Sequence, residues 1–258
     1  MMASRADPEI RRYALLTEYD GTAFQGWQIQ PRVRTVQQTL QDALSQLTGH
    51  PVQLNGCSRT DAGVHARGHV SHFEAALSIP ADRLPLALNP LLPSDLAVHA
   101  ACLVDSAFHA RFSAVGKRYT YTYWHHPVRP VINRSSVSHI TGPLDLAAMN
   151  QSLGCFIGER DFSALMDQNG STVQPIRRID RLTLDPEGIL IRMTVEGSGF
   201  LYHMVRILAG TLLAVGQGKI KPAQLPELLR QGDRRQMGKT MPASGLCLES
   251  VFYPDHPF

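Results

Sequence analysis

Between Tyr13 and Leu103 the hydrophobic period of the chain switches repeatedly between about two and about 3.6 residues, and the order of the switches leaves few folds open. Tyr13 to Tyr19 alternates like a strand. From Thr35, which has N-cap chemistry, Val36, Leu40, Ala43, Leu44 and Leu47 recur at helical spacing until Gly49 ends the run. Val52 to Leu54 reads as a short strand and His69 to Glu74 as a half-buried one. Ala81 to Leu88 has a helical interior between proline stops, and Leu96 to Leu103 alternates again. The sequence strand, helix, strand, strand, helix, strand is a split β-α-β pattern of ferredoxin-like type.

The second half repeats the theme. Lys117 to His125 predicts a strand carrying Tyr119, Tyr121 and Tyr123 on one face. Leu146 to Phe156 predicts a helix, and Ile176 to Leu184 pairs with Ile189 to Val195 across the turn Asp185-Pro186-Glu187-Gly188. Phe200 to Val215 predicts an apolar helix, Pro222 to Arg230 a shorter one, and Leu246 to Tyr253 a last strand. Two related α+β halves are expected, residues 1–105 and 106–258.

Composition narrows the function classes. In 258 residues, 43% are hydrophobic and 18% charged, so a sizeable core can form and disorder is excluded. The formal net charge of +3 is compatible with an anionic partner without demanding one. Cys57, Cys102, Cys155 and Cys247 are far apart and form no C-x-x-C pair, which reads as isolated thiols. Met1 to Arg12 has no apolar core of a secretory signal, and Met204 to Val215 is too short for a membrane span. A soluble cytosolic protein is expected. No phosphate-binding or dinucleotide fingerprint is present, so no nucleotide cofactor is implied.

One polar stretch has no explanation in core packing. Gly56-Cys57-Ser58-Arg59-Thr60-Asp61-Ala62-Gly63-Val64-His65-Ala66-Arg67-Gly68 leads into the strand beginning near His69. It sets Asp61 between an arginine two residues before and a glycine two residues after. Taken alone this is ordinary turn composition, in which an aspartate caps or turns. Anchored at the head of a strand, the same loop can also hold a reactive side chain still.

Arg206 lies in Phe200-Leu201-Tyr202-His203-Met204-Val205-Arg206, a mostly apolar run. It either meets an anion or carries its guanidinium to the surface. Tyrosines on one strand face read first as core. Arg111, Lys117 and Arg118 beside them offer phosphate contacts, with Tyr119 as a surface on which a base can stack. His65, His69 and His72 are spaced for one helix face, but the surrounding Gly63, Gly68, Val70 and Phe73 favour loop and strand. In a strand His69 and His72 point to opposite faces, so no metal is expected.

Arg59-Thr60-Asp61-x-Gly63-Val64-His65-Ala66 resembles the signature loop of the tRNA pseudouridine synthase A (TruA) family. Tyr19-Asp20-Gly21-x-x-Phe24-x-Gly26-Trp27-Gln28, Phe108-x-Ala110-Arg111-x-Ser113, Lys117-x-Tyr119-x-Tyr121 and Phe200-x-x-His203-Met204-Val205-Arg206 resemble further family motifs in the same order. His69 departs from the pattern, where glutamine is common. The resemblance implies an α+β fold of two ferredoxin-like halves whose antiparallel sheets join, with a central RNA-binding cleft. It implies a homodimer that isomerises uridine to pseudouridine in the tRNA anticodon stem-loop, at positions 38, 39 and 40. Asp61 would be the nucleophile, Arg59 and Arg206 would orient it, and Tyr119 would stack on the uracil. Arg111, Lys117, Arg118, His65 and Leu246 complete the expected substrate-binding set. Neither metal nor other cofactor is implied.

Overall fold

The structure, a computed structural model, describes residues 9–167, 174–255 and 257–258. Of the segment Met1 to Arg12, residues 1–8 lie outside the described residues. The fold is mixed α+β with mostly antiparallel strand pairing. It divides into two compact units: residues 1–115 with 250–258, and residues 116–249.

The first unit is built on β1 (Ile10–Tyr19), β2 (Asn55–Gly56), β3 (His65–Ala76) and β4 (Leu96–Val104). β1 lies between β4 and β3, antiparallel to both, and β2 pairs antiparallel with β3. That spatial order, β4-β1-β3-β2, is the ferredoxin-like one expected from the pattern. The helix α1 (Val36–Thr48) runs between the predicted caps. Thr35 accepts from the Gln38 amide at 3.4 Å, and Gly49 ends the helix in the left-handed conformation at φ 76°. Val36, Leu40, Ala43 and Leu44 form its buried stripe. Burying each of Val36, Leu40 and Leu44 contributes about 1.5–3 kcal/mol.

Two elements differ from the expectation. Val52 to Leu54 does not form a strand, because side chains of α1 take its backbone groups. Val52 N–H donates to Ser45 Oγ, Leu54 N–H donates to Gln41 Oε1, and the Leu54 carbonyl accepts from Gln37 Nε2. The expected helix from Ala81 shortens to α2 (Leu84–Leu88), flanked by 3-10 turns at Ala81–Arg83 and Asn89–Leu91. Pro85 and Pro90 lack the amide donors that a continuous helix would need.

In the second unit β5 (Gly116–His125) pairs with β9 (Leu190–Gly197), β9 with β8 (Ile176–Glu187), and β8 with β7 (Gly158–Asp161), all antiparallel. The short β6 (Ser138–Ile140) runs parallel to β5. Neither β6 nor β7 is legible from alternation, since three or four residues carry too little pattern. The expected helix at Leu146 becomes α3 (Leu146–Gln151) and continues only as a 3-10 turn, Leu153–Phe156. The unit's core helix is α4 (Met204–Gly216), nearly all of it buried. It begins four residues later than its apolar run, because His203 sits at φ 60° and cannot continue a helix backwards. The shorter α5 (Leu225–Gln231) follows the turn Pro222–Gln224. The last strand, β10 (Leu246–Phe252), is divided, its residues to Glu249 grouped with the second unit and the rest with the first. No helix of the described residues is long and apolar enough to cross a membrane.

Candidate active site

The loop carrying Asp61 is held from beneath by the loop after β1. The first amides of α1 fix that lower loop, Val36 N–H donating to the Gly26 carbonyl at 3.2 Å and Gln37 N–H to the Trp27 carbonyl at 3.0 Å. Trp27 N–H in turn donates to the Thr60 carbonyl at 3.1 Å, and Gly63 N–H to the Phe24 carbonyl at 3.2 Å. Asp61 therefore lies between two residues whose backbones are bonded to the same support. Its own carbonyl accepts from Val64 N–H at 3.1 Å and closes the turn.

The contact between the loops leaves no room for side chains. Gly26 has φ 88°, and a Cβ there would stand 2.6 Å from the Thr60 carbonyl oxygen. A Cβ on Gly56 would stand 2.5 Å from the Trp27 ring. Below the loop, Tyr19 Oη and the Thr60 hydroxyl share a buried hydrogen bond of 2.9 Å. The aromatics of the lower loop are packing residues: Phe24 and Trp27 are both buried, and Trp27 stacks on His69 with ring centroids 3.7 Å apart. His69 Nε2 lies 3.0 Å from the Ser58 carbonyl. The residue that departs from the family pattern thus supports the Asp61 loop from the strand side.

The histidines of β3 serve separate partners. His65 Nδ1 accepts from Gly21 N–H at 3.1 Å and lies 3.2 Å from the Asp20 carboxylate. Burial acts against ionisation of Asp20, but hydrogen bonds donated by the Thr22 amide and hydroxyl, with His65 close by, outweigh it and hold its pKa below the ordinary carboxylate value. His72 Nδ1 accepts from Ala110 N–H at 3.1 Å. Burial, with His109 and Arg12 adding to it, pushes His72 down to about 4. Asp61 and His65 are half-buried in the first unit, while Arg59 and Arg111 are exposed there.

In the second unit the three tyrosines of this face are all buried and differ in their partners. Tyr121 and Tyr123 are fully buried, and their hydroxyls donate to the carbonyls of Pro242 (2.9 Å) and Ala209 (2.8 Å). Burial raises both phenol pKa values. These two are structural. Tyr119, also buried, lies edge-to-face with Phe200 at 5.3 Å. Lys117 and Arg118 are half-buried on the same strand, Arg118 Nε bonding Glu196 at 2.8 Å, and Leu246 is buried at the start of β10.

Arg206 lies in the first turn of α4, not in mid-helix, and is half-buried. Its Nε donates to the Met241 carbonyl at 2.7 Å while Met241 N–H donates to the Arg206 carbonyl at 3.2 Å. The segment reaching Met241 is pressed onto α4, for a Cβ on Gly238 would stand 2.1 Å from Gly210 backbone atoms. Sequence reading missed what holds this end of the helix. Asp167 accepts from Arg234 Nε at 2.8 Å and from the Thr240 hydroxyl at 3.0 Å, and its other close partner is His203 Nδ1 at 2.6 Å. Burial disfavours the Asp167 carboxylate, and these hydrogen bonds more than compensate, lowering its pKa. Nothing local marks Asp167, whose partners lie 36 to 73 residues away. Among the described residues no group of three or more His, Cys, Asp or Glu side chains is arranged to hold a metal ion.

Comparison with known proteins places this geometry in context. A family model described as tRNA pseudouridine synthase matches residues 15–113 and 154–254. The chain is 45% identical over 247 residues to tRNA pseudouridine synthase A of Citrifermentans bemidjiense, covering 95% of this chain and 99% of the relative. It is 44% identical over 247 residues to that of a Geobacter species and 43% identical over 245 residues to that of Ruminiclostridium cellulolyticum, in each case covering 95% of this chain and 100% of the relative.

Proposed function

Since the chain belongs to the tRNA pseudouridine synthase family, an isomerase family acting on tRNA, we propose that it converts uridine to pseudouridine in the anticodon stem-loop, at positions 38, 39 and 40, with Asp61 as nucleophile. The observation that carries this reading is the clamping of Thr60 and Gly63, on either side of Asp61, to one rigid support. A carboxylate so fixed at the head of β3 is suited to attack, because a positioned nucleophile avoids the entropy of finding its target.

The target uridine must leave its stack before a side chain can reach it. Asp61 attacks C6 of the base or C1′ of the ribose. The bond it makes breaks again before the product leaves, by elimination from C6 or by displacement from C1′ as C5 attacks, which returns the free carboxylate. The C1′–N1 bond breaks, the uracil turns, and a C1′–C5 bond forms. C5 then loses its proton and N1 carries one, so the product is an isomer and nothing is oxidised or hydrolysed. Arg59 and Arg206 orient the carboxylate, and Tyr119 stacks on the uracil. Arg111, Lys117 and Arg118 contact phosphates, with His65 and Leu246 beside the substrate. The resemblance of the motifs supports the remainder: each half, 1–105 and 106–258, supplies part of the chemistry, and the enzyme works as a cytoplasmic homodimer without a cofactor.

Release of tritium from tRNA labelled at uridine C5 tests the reaction directly. Wild-type protein should release tritium with or without EDTA. Asp61→Asn, which keeps size and removes charge, should release none while still binding tRNA. Turnover well above background in that variant would remove Asp61 from the chemistry.

A further inference from the structure

Phe112 is the exposed aromatic of a firmly built turn. Its ring is 75% exposed. Yet each amide from His109 to Ser113 has a partner. His109 N–H donates to Ser113 Oγ at 3.0 Å and Ser113 N–H to the His109 carbonyl at 2.9 Å. Arg111 and Phe112 N–H groups both donate to His109 Nδ1, at 3.1 and 3.3 Å. Ala110 is buried at the base, its N–H on His72 Nδ1 and its carbonyl accepting from Tyr253 Oη at 2.7 Å.

This pedestal fixes the direction of the ring. The imidazole of His109 packs against Phe112 with centroids 4.4 Å apart, and the Arg111 guanidinium lies 5.6 Å from the ring centre. A His109 ring that accepts two amides at Nδ1 is unprotonated there. Burial, reinforced by Arg12, lowers its pKa and favours that state at neutral pH. A rigid turn thus presents a flat apolar face to solvent beside an exposed guanidinium, where burying the phenyl would have been favourable. The pair matches the two parts of a nucleotide: a base offers a π-face of similar width, and its phosphate offers an anion.

We propose that Phe112 is a stacking platform for an unpaired base of the RNA substrate, distinct from the uridine that reacts, with Arg111 holding the adjoining phosphate. This inference rests on the reading that the protein acts on tRNA. The platform adds affinity and register without entering the bond-making steps.

The test measures binding of fluorescein-labelled anticodon stem-loop RNA, and of a fully paired RNA duplex of equal length, by anisotropy. Wild type, Phe112→Ala and Phe112→Trp are compared, each with its melting temperature, sedimentation coefficient and tritium release. Phe112→Ala should melt like wild type, since the ring is largely in solvent, and should weaken stem-loop binding by about tenfold. Phe112→Trp should restore that binding, and duplex binding should be unchanged in both. Unaltered stem-loop affinity in Phe112→Ala overturns the proposal, as does an equal loss on stem-loop and duplex. A change from dimer to monomer with affinity per subunit intact also overturns it, assigning the ring to a second copy of the chain. The underlying reading is separated by wild-type tritium release. Release with Phe112-independent binding sinks the platform alone. Phe112-dependent binding without release sinks the reaction and leaves the platform standing.

Discussion

Gly26→Ala probes the support under Asp61 with the smallest available change. Two penalties add. Its φ of 88° costs an L-residue about 1–2 kcal/mol, and the new methyl would stand 2.6 Å from the Thr60 carbonyl oxygen. Ordinary contact begins at 3.4 Å, and the obstacle is backbone, so one loop must move. Overpacking of that kind costs about 1–3 kcal/mol. The sum, about 2–5 kcal/mol, lowers the melting temperature by about 4–20 °C for a chain of this size. The moving atom belongs to the residue before Asp61, and an ångström of misplacement can cost about a hundredfold in rate. Turnover at a temperature where both proteins are folded should therefore fall at least about tenfold. Gly49→Ala is the matched control: φ is 76°, nothing lies within 4 Å of the new methyl, and the site is the end of α1. It should lose only about 1 kcal/mol of stability and keep its rate. Calorimetry and tritium release measure the two quantities. If Gly26→Ala melts as low as expected but turns over like wild type, the contact does not position Asp61. If it melts like Gly49→Ala, the steric reasoning fails.

Two further outcomes follow from the second unit. Tyr119→Phe should bind tRNA nearly normally yet form little pseudouridine, because some base must take the C5 proton, whereas Tyr119→Leu should also weaken binding by about 1–3 kcal/mol; a wild-type rate in the Phe variant would leave Tyr119 as a stacking surface only. Asp167→Asn should lower stability by about 1–3 kcal/mol, because it weakens bonds to His203, Arg234 and Thr240 at the head of the Arg206 helix. With its native pKa held below the ordinary 3.8, Asp167 contributes fully above that pH, and the contribution is lost as pH falls through the lower native value. The difference in unfolding free energy between wild type and variant should shrink as pH falls below about 4; a difference independent of pH there would show that the carboxylate charge is not what matters.

Much of the local structure is written in stretches of a few residues. Thr35 and Gly49 mark the ends of α1 because capping is a property of the backbone within one turn. The motif around Asp61 is legible for the same reason, as is the β-α-β order of the first unit. Alternation also put Tyr119, Tyr121 and Tyr123 on one face, but it is silent on their partners. Only packing distinguishes two tyrosines spent on carbonyls of Pro242 and Ala209 from a third set against Phe200.

Other features depend on partners far along the chain. The amides of Val52 and Leu54 leave the strand ladder because α1 supplies closer acceptors. His203 takes a left-handed backbone and starts α4 late, beside a carboxylate 36 residues earlier that also bonds Arg234 and Thr240. The sequence by itself determined periodicity, caps and turns, because these reflect sterics and hydrogen bonding between near neighbours. Tertiary structure decided which glycines touch a carbonyl, which histidine supports which loop and which carbonyl Arg206 bonds, because close packing is settled between segments that meet only once the chain has folded.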